Sequence, residues 1–109
     1  MLSEQINWET GQVVYWDLGF LDNQRPLIDQ LDGLKEDLAQ VRYGDLLLDL
    51  GWYPEFSGDG EFVVRVVCRA DWDAPVFQDS SRSVEGLLLC LETAIRVACD
   101  QLLISTPTP

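Results

Sequence analysis

The segment from Asp45 to Ala70 constrains the fold most, because apolar and polar residues alternate along both of its halves. A period of two is typical of β-strands, whose successive side chains point to opposite faces of a sheet. The residues between the halves read PEFSGDG and favour a turn. We therefore predict a central β-hairpin with strands over residues 45–53 and 61–69.

The side-chain pattern of this hairpin also predicts its register. When Trp52 faces Phe62, the apolar residues of the two strands face each other, and two pairs of opposite charge form on the second face. A shift by one residue would turn one apolar row to the wrong face, and a shift by two would break both charge pairs. The other predicted pairs are Leu46 with Cys68, Leu48 with Val66, Leu50 with Val64, Asp45 with Arg69, and Asp49 with Arg65.

The second face of the hairpin mixes these charges with apolar residues. Such a face is either partly covered by another segment or offered to a partner, and the sequence pattern is compatible with both. The residues on it, besides the charges, are Leu47, Gly51, Tyr53, Val63 and Val67.

A first helix is predicted over residues 24–42. Apolar residues recur there every three or four positions, which places them on one face of a helix. Pro26 suits the first turn, where no backbone N–H donor is needed, and Gly44 suits the end of the helix. The apolar stripe comprises Leu27, Leu31, Leu34, Leu38 and Val41, and the opposite face carries Asp29, Asp32 and Glu36.

Three further elements flank the helix and the hairpin. Gln12–Trp16 is a predicted strand, because valine, tyrosine and tryptophan favour strands. Ala74–Gln78 is a predicted edge strand, since Pro75 has no N–H to donate to a ladder. Residues 83–103 form a predicted helix that Asp79, Ser81 or Ser83 can cap. Its broad apolar face includes Val84, Leu87, Leu91, Ala94, Ile95 and Ala98.

Two amphipathic helices and an antiparallel sheet with one strongly apolar face indicate an α+β fold. We expect a two-layer sandwich, with a sheet around the central hairpin (45–53, 61–69) packed by helices over about 24–42 and 83–103. A chain of 109 residues can bury such a core without metal or disulfide cross-links. We expect a single domain over residues 1–104 and a disordered tail over residues 105–109.

The charge of the chain excludes several classes of function. Nineteen acidic residues against seven basic residues give a formal net charge of −12. Such a surface is unsuited to nucleic acid and to anionic lipid, so we expect no nucleic-acid partner and no membrane. The N-terminal residues lack the pattern of a signal peptide, and no stretch is apolar enough for a membrane span. We therefore expect a cytoplasmic protein.

The sequence also gives no indication of a catalytic or metal site. The chain has no histidine, which removes Ser-His-Asp and Cys-His nucleophiles and most zinc sites. It contains no phosphate-binding loop, no dinucleotide fingerprint and no calcium loop with enough ligands. Cys68, Cys90 and Cys99 are odd in number and widely spaced, so we interpret them as reduced apolar residues. We expect a protein that is not an enzyme and has no catalytic residue, no cofactor and no bound metal.

Two ends of the hairpin and the acidic face of the first helix are candidates for binding a partner protein. They mix aromatic residues with carboxylates, a combination in which the aromatics anchor a basic partner and the acids steer it. The alternative is an ordinary solvated surface. We interpret Trp52, and the group Trp8, Tyr15, Trp16 and Phe20, as packing residues. The candidate partner-binding residues are Asp29, Asp32 and Glu36 on the helix, Tyr53, Glu55, Phe56 and Asp59 at the hairpin tip, and Asp45, Asp71, Trp72 and Asp73 at the opposite end.

The stretch GWYPEFSGDGEFVVRVV, followed by DWDAP and a serine-rich entry into a long apolar helix, resembles small acidic bacterial immunity proteins. These belong to polymorphic toxin systems, including contact-dependent growth inhibition and Rhs types. The resemblance implies a cytoplasmic single-domain α/β protein that binds the C-terminal domain of one toxin, often a nuclease, and blocks its active site. It extends from Leu46 to Leu103 and rests on Gly51, Trp52, Tyr53, Pro54, Gly60, Trp72 and Pro75.

The function that we expect is therefore inhibition of a cognate toxin domain. A net charge of −12 would complement a basic toxin. An alternative from a different class is a small structural or adaptor protein that forms a homodimer through its apolar C-terminal helix. A toxin gene directly upstream would favour the first function, and concentration-dependent self-association would favour the second.

Overall fold

Five antiparallel strands form one sheet in the order β1-β2-β3-β4-β5, so that strands adjacent in sequence are neighbours in space. The computed structural model describes residues 6–22 and 24–105, with side chains up to Gln101. The helical segments are a short 3-10 helix (Leu27–Gly33) and α1 (Val84–Ser105). The strands are β1 (Gln12–Trp16), β2 (Ala39–Tyr43), β3 (Leu46–Tyr53), β4 (Glu61–Cys68) and β5 (Phe77–Ser81).

α1 covers one face of the sheet and closes the hydrophobic core. Leu87, Leu91 and Ala94 of the helix are buried in the same cluster as Leu48 and Val64 of the central strands. Burial of each large apolar side chain contributes roughly 1.5–3 kcal/mol, so this contact is the main source of stability. The predicted α+β class and the packing of an antiparallel sheet against the C-terminal helix are confirmed.

The central hairpin has the predicted register. β3 and β4 pair residue for residue along their whole length, with Trp52 opposite Phe62 and Asp49 opposite Arg65. The rings of Trp52 and Phe62 meet edge to face, with their centroids 4.9 Å apart. This geometry is the favoured one for aromatic pairs, and it fixes the end of the hairpin that carries the turn.

The predicted helix over residues 24–42 is wrong. The chain there forms the 3-10 helix, then an irregular connection over residues 34–38, and then β2. Three of the five apolar positions are nevertheless buried as their pattern predicts, because Leu34, Leu38 and Val41 have no exposed surface. Leu27 and Leu31 are half-buried. The spacing of three and four residues therefore indicated burial correctly and secondary structure incorrectly. The acids opposite this stripe do not form one helical face.

Gly44 begins a hairpin turn instead of ending a helix. Tyr43 pairs with Leu46, which leaves Gly44 and Asp45 as a two-residue turn with a φ of 62° at Gly44. Glycine adopts this left-handed conformation without steric cost and is favoured in such turns. β2 is thereby aligned with β3 and extends the two-stranded hairpin by one strand.

The buried side chain of Gln30 interrupts the first helical segment. Its Nε2 donates to Asp22 O at 2.9 Å and to Arg25 O at 3.1 Å, and its Oε1 accepts from Asp22 N at 2.8 Å. Buried polar groups need such partners, and here the preceding turn supplies them. Gln30 itself has a φ of −126°, which is not helical.

The remaining strands lie near their predicted positions. β1 is the strand predicted over Gln12–Trp16, and it pairs with β2. β5 begins three residues later than the predicted strand Ala74–Gln78, because residues 69–76 form the connection from β4. This connection opens with positive φ values at Arg69 (53°) and Ala70 (60°).

α1 begins directly after one of its predicted caps. Ser83 Oγ accepts a hydrogen bond from Gly86 N at 3.0 Å, as expected for an N-cap residue. The helix extends to Ser105, two residues beyond the predicted end. Residues 106–109 of the predicted tail lie outside the described residues. In the part of the chain that the structure describes, no helix has the length and apolar character required to cross a bilayer.

The second face of the hairpin is partly covered, which decides between the two alternatives that its pattern leaves open. Val67 is fully buried on this face and Val63 is nearly so, although both lie outside the main core cluster. Asp49 is buried there too, and Leu47 and Tyr53 are half-buried. We call this face, which α1 does not cover, the open face.

Gly51 allows the connection after the 3-10 helix to cross β3 at close range. Trp52 N donates to Lys35 O at 2.8 Å, and Leu38 N donates to Leu50 O at 3.0 Å. Between these two bonds the chain runs against Gly51, where a Cβ atom would overlap a backbone carbonyl of the connection. Only glycine permits this approach.

We expect Gly51→Ala to lower the free energy of unfolding by about 1–3 kcal/mol, the usual cost of overpacking a buried site. The added methyl group meets backbone, which cannot rotate away as a side chain can. Gly19→Ala is the matched control, since a Cβ atom there has no neighbour within 4 Å, and its effect should stay within about 0.5 kcal/mol. Urea denaturation followed by tryptophan fluorescence measures both variants. Equal free energies of unfolding for Gly51→Ala and Gly19→Ala would contradict the close crossing at Gly51.

Candidate partner-binding surface

The turn of the central hairpin, residues 54–60, is held in place by bonds to two other parts of the chain. The indole of Trp52 is buried, and its Nε1 donates to Ser57 O at 2.9 Å. The backbone N–H of Phe56 donates to Leu34 O at 2.8 Å. The first bond ties the turn to β3, and the second ties it to the connection after the 3-10 helix.

The 3-10 helix lies against this turn. A Cβ atom on Gly58 would be 3.0 Å from Ile28 Cδ1 and 3.7 Å from Leu31 Cδ1, so both side chains reach the turn. The acids that the sequence assigned to a long first helix are therefore next to the hairpin tip. Two of the predicted binding regions form one surface.

Three large apolar side chains are exposed at this end of the molecule. The exposed fractions are 63% for Ile28, 49% for Phe56 and 39% for Phe20. The Phe20 ring lies over Gly33, where an added Cβ atom would come within 2.7 Å of it. Phe56 has a φ of 62°, a left-handed value that bulky residues rarely adopt. Exposed apolar side chains on an anchored loop are typical of protein-binding surfaces.

Carboxylates occupy the same elements as these apolar side chains. Asp29 and Asp32 are exposed on the 3-10 helix, Glu36 is exposed on the connection, and Glu55 and Asp59 are exposed on the turn. The result is an apolar patch with acidic neighbours on each element that builds it. We define the hairpin-tip surface as Phe20, Ile28, Asp29, Asp32, Glu36, Glu55, Phe56 and Asp59.

Two cations near this surface are engaged by neighbouring groups. Lys35 Nζ lies 2.9 Å from Asp17 Oδ2, and this bond raises the pKa of Lys35. The guanidinium of Arg82 donates to Asp59 O at 3.2 Å. An exposed ion pair such as Lys35–Asp17 contributes little to stability. Arg82 keeps its charge beside the turn, but the five exposed carboxylates of the hairpin-tip surface outnumber it, so this surface is acidic.

The opposite end of the hairpin holds the other predicted residues. Asp45, Asp71, Trp72 and Asp73 are all exposed, and 45% of Trp72 is accessible to solvent. The predicted charge pair forms here, with Arg69 Nε 3.5 Å from Asp45 Oδ2. This end therefore has one exposed aromatic anchor and a carboxylate that is already paired.

The predicted binding residues thus fall into two groups. β3 has eight residues, which separates the two ends of the hairpin by about 25 Å. Tyr53 belongs to neither group, because its half-buried ring packs 5.3 Å from the guanidinium carbon of Arg65. Burial raises the pKa of Tyr53, and the hydrogen bond with Arg65 opposes the rise. Tyr53 is better explained as packing on the open face.

A row of four polar side chains with a tyrosine ring at one end crosses the open face. Gln40 Nε2 donates to Asp49 Oδ1 at 3.0 Å, and Arg65 Nε donates to Gln78 Oε1 at 3.2 Å. Asp49 and Arg65 are thus paired in register, but the guanidinium is directed to Gln78 and to a tyrosine ring. The row consists of Tyr15, Gln40, Asp49, Arg65 and Gln78, one from each strand and each opposite the next.

Asp49 is a buried carboxylate in the middle of this row, with 4% of its surface exposed. Burial raises the pKa of Asp49, against the hydrogen bond from Gln40, and the charge of Asp37 adds to the rise. A raised pKa in a cleft can mark an acid–base catalyst. Asp49 instead lies between its cross-strand neighbours Gln40 and Arg65, in the middle of a strand. We interpret it as a structural residue.

Sequence reasoning missed two apolar members of the hairpin-tip surface. Ile28 is adjacent to Leu27 but lies off the apolar stripe, and this offset is a signal of exposure. Phe20 was expected to pack with other aromatics, of which Trp8 and Trp16 do meet edge to face at 6.2 Å. The polar row was also missed beyond Asp49 and Arg65, because its other members lie on strands whose register has no local signal.

The geometry carries the functional argument, because no protein-family model, curated protein or solved structure matches the chain. The resemblance to immunity proteins stays a prediction. What the described residues provide is an anchored, acidic and partly apolar surface, which is suited to binding a protein.

We expect the stability of the Asp49→Asn variant, relative to that of the wild type, to increase as the pH rises from about 4 to 7. The pKa of folded Asp49 is raised above its unfolded value, so the folded state binds more protons in this window and wild-type stability falls as the pH increases. Asparagine keeps the acceptor for Gln40 and has no charge to bury. Thermal unfolding at several pH values measures the difference.

Asp71→Asn is the matched control for this experiment, because it makes the same chemical change at an exposed position. Its melting temperature relative to the wild type should change less with pH. If the difference in melting temperature between Asp49→Asn and the wild type does not change with pH, burial of the charge does not affect stability.

Proposed function

We propose that this protein is an inhibitor that binds a basic, nuclease-like toxin domain and occludes its active site. The partner would be the C-terminal domain of a cognate toxin, as the resemblance to immunity proteins implies, and inhibition would take place in the cytoplasm. The observation that carries this proposal is the hairpin-tip surface, where exposed apolar side chains and carboxylates lie together on an anchored turn.

Ile28 and Phe56 are the proposed anchors. Large apolar and aromatic residues supply most of the binding energy when they enter pockets of a partner. The hydrogen bonds of Trp52 and Phe56 already hold the turn in one shape. Binding therefore costs little conformational entropy in this loop.

The carboxylates of the hairpin-tip surface would supply attraction and selectivity. A net charge of −12 attracts a basic partner from a distance and raises the association rate. A nuclease binds phosphates through cationic groups. Asp29, Asp32 and Glu55 offer negative charge of the kind that such groups bind, which is the basis for proposing occlusion rather than binding at a remote site.

The cysteines are suited to packing rather than to redox chemistry. Cys68, Cys90 and Cys99 are free thiols. Cys90 is buried, and burial raises the pKa of its thiol to about 11. A thiol that stays protonated is a poor nucleophile and a poor candidate for disulfide exchange.

Self-association through α1, the alternative function, has less support. Leu87 and Leu91 on the apolar side of the helix are buried against the sheet. On the outer side Leu89 is 66% exposed, but Glu92 and Arg96 are also exposed there. Over residues 84–101, whose side chains are described, a single exposed leucine among charged residues is ordinary for a surface helix and does not form an apolar seam.

Capture of the partner is the first test of the inhibitor function. Tagged protein isolated from its own host should bring down the C-terminal fragment of a large secreted protein at near-equal stoichiometry, as identified by mass spectrometry. Recovery of this protein alone, or of a housekeeping complex, would contradict the proposal.

A triple charge reversal tests the hairpin-tip surface directly. Asp29→Lys, Asp32→Lys and Glu55→Lys together should weaken binding to the captured domain by at least about tenfold at low salt, mainly through slower association. The reason is that repulsion replaces attraction where the partner docks. Surface plasmon resonance at two salt concentrations measures the effect, which should shrink as salt screens the charges.

The control for this variant is a second triple with the same change in net charge. It combines Asp71→Lys, Asp73→Lys and Glu92→Lys, which lie away from the hairpin tip, and it should weaken binding by less than about threefold. Equal losses in both triples would mean that overall charge governs binding. A larger loss in the control would place the interface outside the hairpin-tip surface, at the opposite end of the hairpin or on α1.

A further inference from the structure

Among the described residues, no strand pairs with the outer side of β1. This strand pairs on one side with β2, and it is the first strand in the sheet order. Val13, Val14 and Tyr15 are exposed by 42%, 46% and 41%. An edge strand also presents backbone N–H and C=O groups along its outer side, so β1 offers both apolar side chains and a free hydrogen-bonding edge.

The helical layer stops short of this edge. In the described residues α1 packs on β5, β4 and β3, reaches only the margin of β2, and does not reach β1. Val13 lies on the face that α1 covers elsewhere, directly opposite the fully buried Val41, and is itself exposed. On this face the ring of Trp8 covers Trp16, with the two centroids 6.2 Å apart. Val13 lacks the cover that the same face has further along the sheet.

A β-bulge at Val14 exposes apolar side chains on both faces of the edge. The register shifts there, so that Val13 lies opposite Val41 and Tyr15 lies opposite Gln40. Val13 is thus on the helix side of the sheet and Tyr15 on the open face. A strand added at this edge would find an apolar contact on each side.

The edge carries no charge, although the chain is strongly charged. Residues 10–16 read TGQVVYW, whereas charged residues make up 24% of the whole chain. The other edge strand, β5, contains Asp79 and is packed by α1. Charge and cover are two common ways in which proteins protect edge strands from pairing. In the described part of the chain, β1 has no charged residue of its own and no packing from α1. The nearest carboxylate, that of Asp17, accepts a hydrogen bond from Tyr15 and is paired with Lys35.

We propose that β1 pairs with β1 of a second copy of this protein, in antiparallel orientation, so that two five-stranded sheets join into one. Such a dimer is closed by a two-fold axis, because the same strand provides both sides of the interface. Backbone hydrogen bonds supply much of the affinity when strands add in this way. The apolar side chains of Val13 and Tyr15 contribute contacts on the two faces.

The lack of charge on β1 favours a second copy over a basic partner as the occupant of this edge. A basic partner gains attraction from carboxylates, which the hairpin-tip surface offers and β1 does not. Two copies with a net charge of −12 repel each other, and that repulsion is smallest where they meet through uncharged strands. Pairing along the outer side of β1 uses none of the residues that define the hairpin-tip surface, so the dimer is independent of the inhibitor function.

Size-exclusion chromatography with light scattering, at increasing concentrations of the full chain, tests the dimer. The mass of the wild type should rise from 12.3 kDa towards twice that value. Val14→Lys places a charge in the middle of the edge and should weaken dimerisation by at least about tenfold. Leu89→Lys introduces the same charge at an exposed apolar position of α1 and should dimerise like the wild type.

Hydrogen exchange of the wild-type protein gives a second measurement that needs no variant. Amides of β1 should exchange more slowly at high than at low protein concentration, and those of β5 should not change. This measurement decides the question if Val14→Lys fails to fold, as judged by circular dichroism.

Several results would overturn the proposal. One is a wild-type mass of 12.3 kDa at every concentration. Another is a folded Val14→Lys variant that dimerises as strongly as the wild type, and a third is loss of the dimer in Leu89→Lys. Concentration-dependent protection at β5 or α1, in place of β1, would likewise assign the interface elsewhere.

Discussion

The pairing of β3 with β4 is the constraint on which the rest of the structure depends. It aligns two apolar rows on one face, ending with Trp52 against Phe62, and this face is the one that α1 covers. A shift of one residue would expose a whole row to water, so burial of the core selects a single register. β2 and β5 then add to the outer edges of this hairpin and take their alignment from it.

The same pairing determines the shape of the hairpin-tip surface. Trp52 contributes its ring to the core and its Nε1–H to Ser57 O, so that core packing and turn conformation are coupled through one side chain. The crossing at Gly51 then places the 3-10 helix beside the turn. A surface built in this way is preorganised, which favours tight binding because few groups must be ordered when a partner docks.

Charged and uncharged surfaces are separated in this molecule. Acids lie on the loops at both ends of the hairpin, whereas the outer strand β1 is uncharged and apolar. Long-range attraction between charges suits recognition of a basic partner, while strand pairing needs short-range contact without repulsion. The two surfaces can therefore serve different partners without competing, and a dimer through β1 would present two hairpin-tip surfaces.

The sequence by itself determined the hairpin, its register and the buried positions between Leu27 and Val41, because these follow from local alternation and from apolar spacing. It did not determine that Ala39–Tyr43 is a strand, since five residues are too few for a period of two to outweigh an overlapping stripe of leucines. Only the tertiary structure decided this, because the hydrogen bonds of β2 are made with β3 and β1 and exist only once those strands are in place. For the same reason the sequence named the acids of the hairpin tip but not the position of Ile28 beside the turn. That position depends on a backbone crossing at Gly51 that no local pattern records.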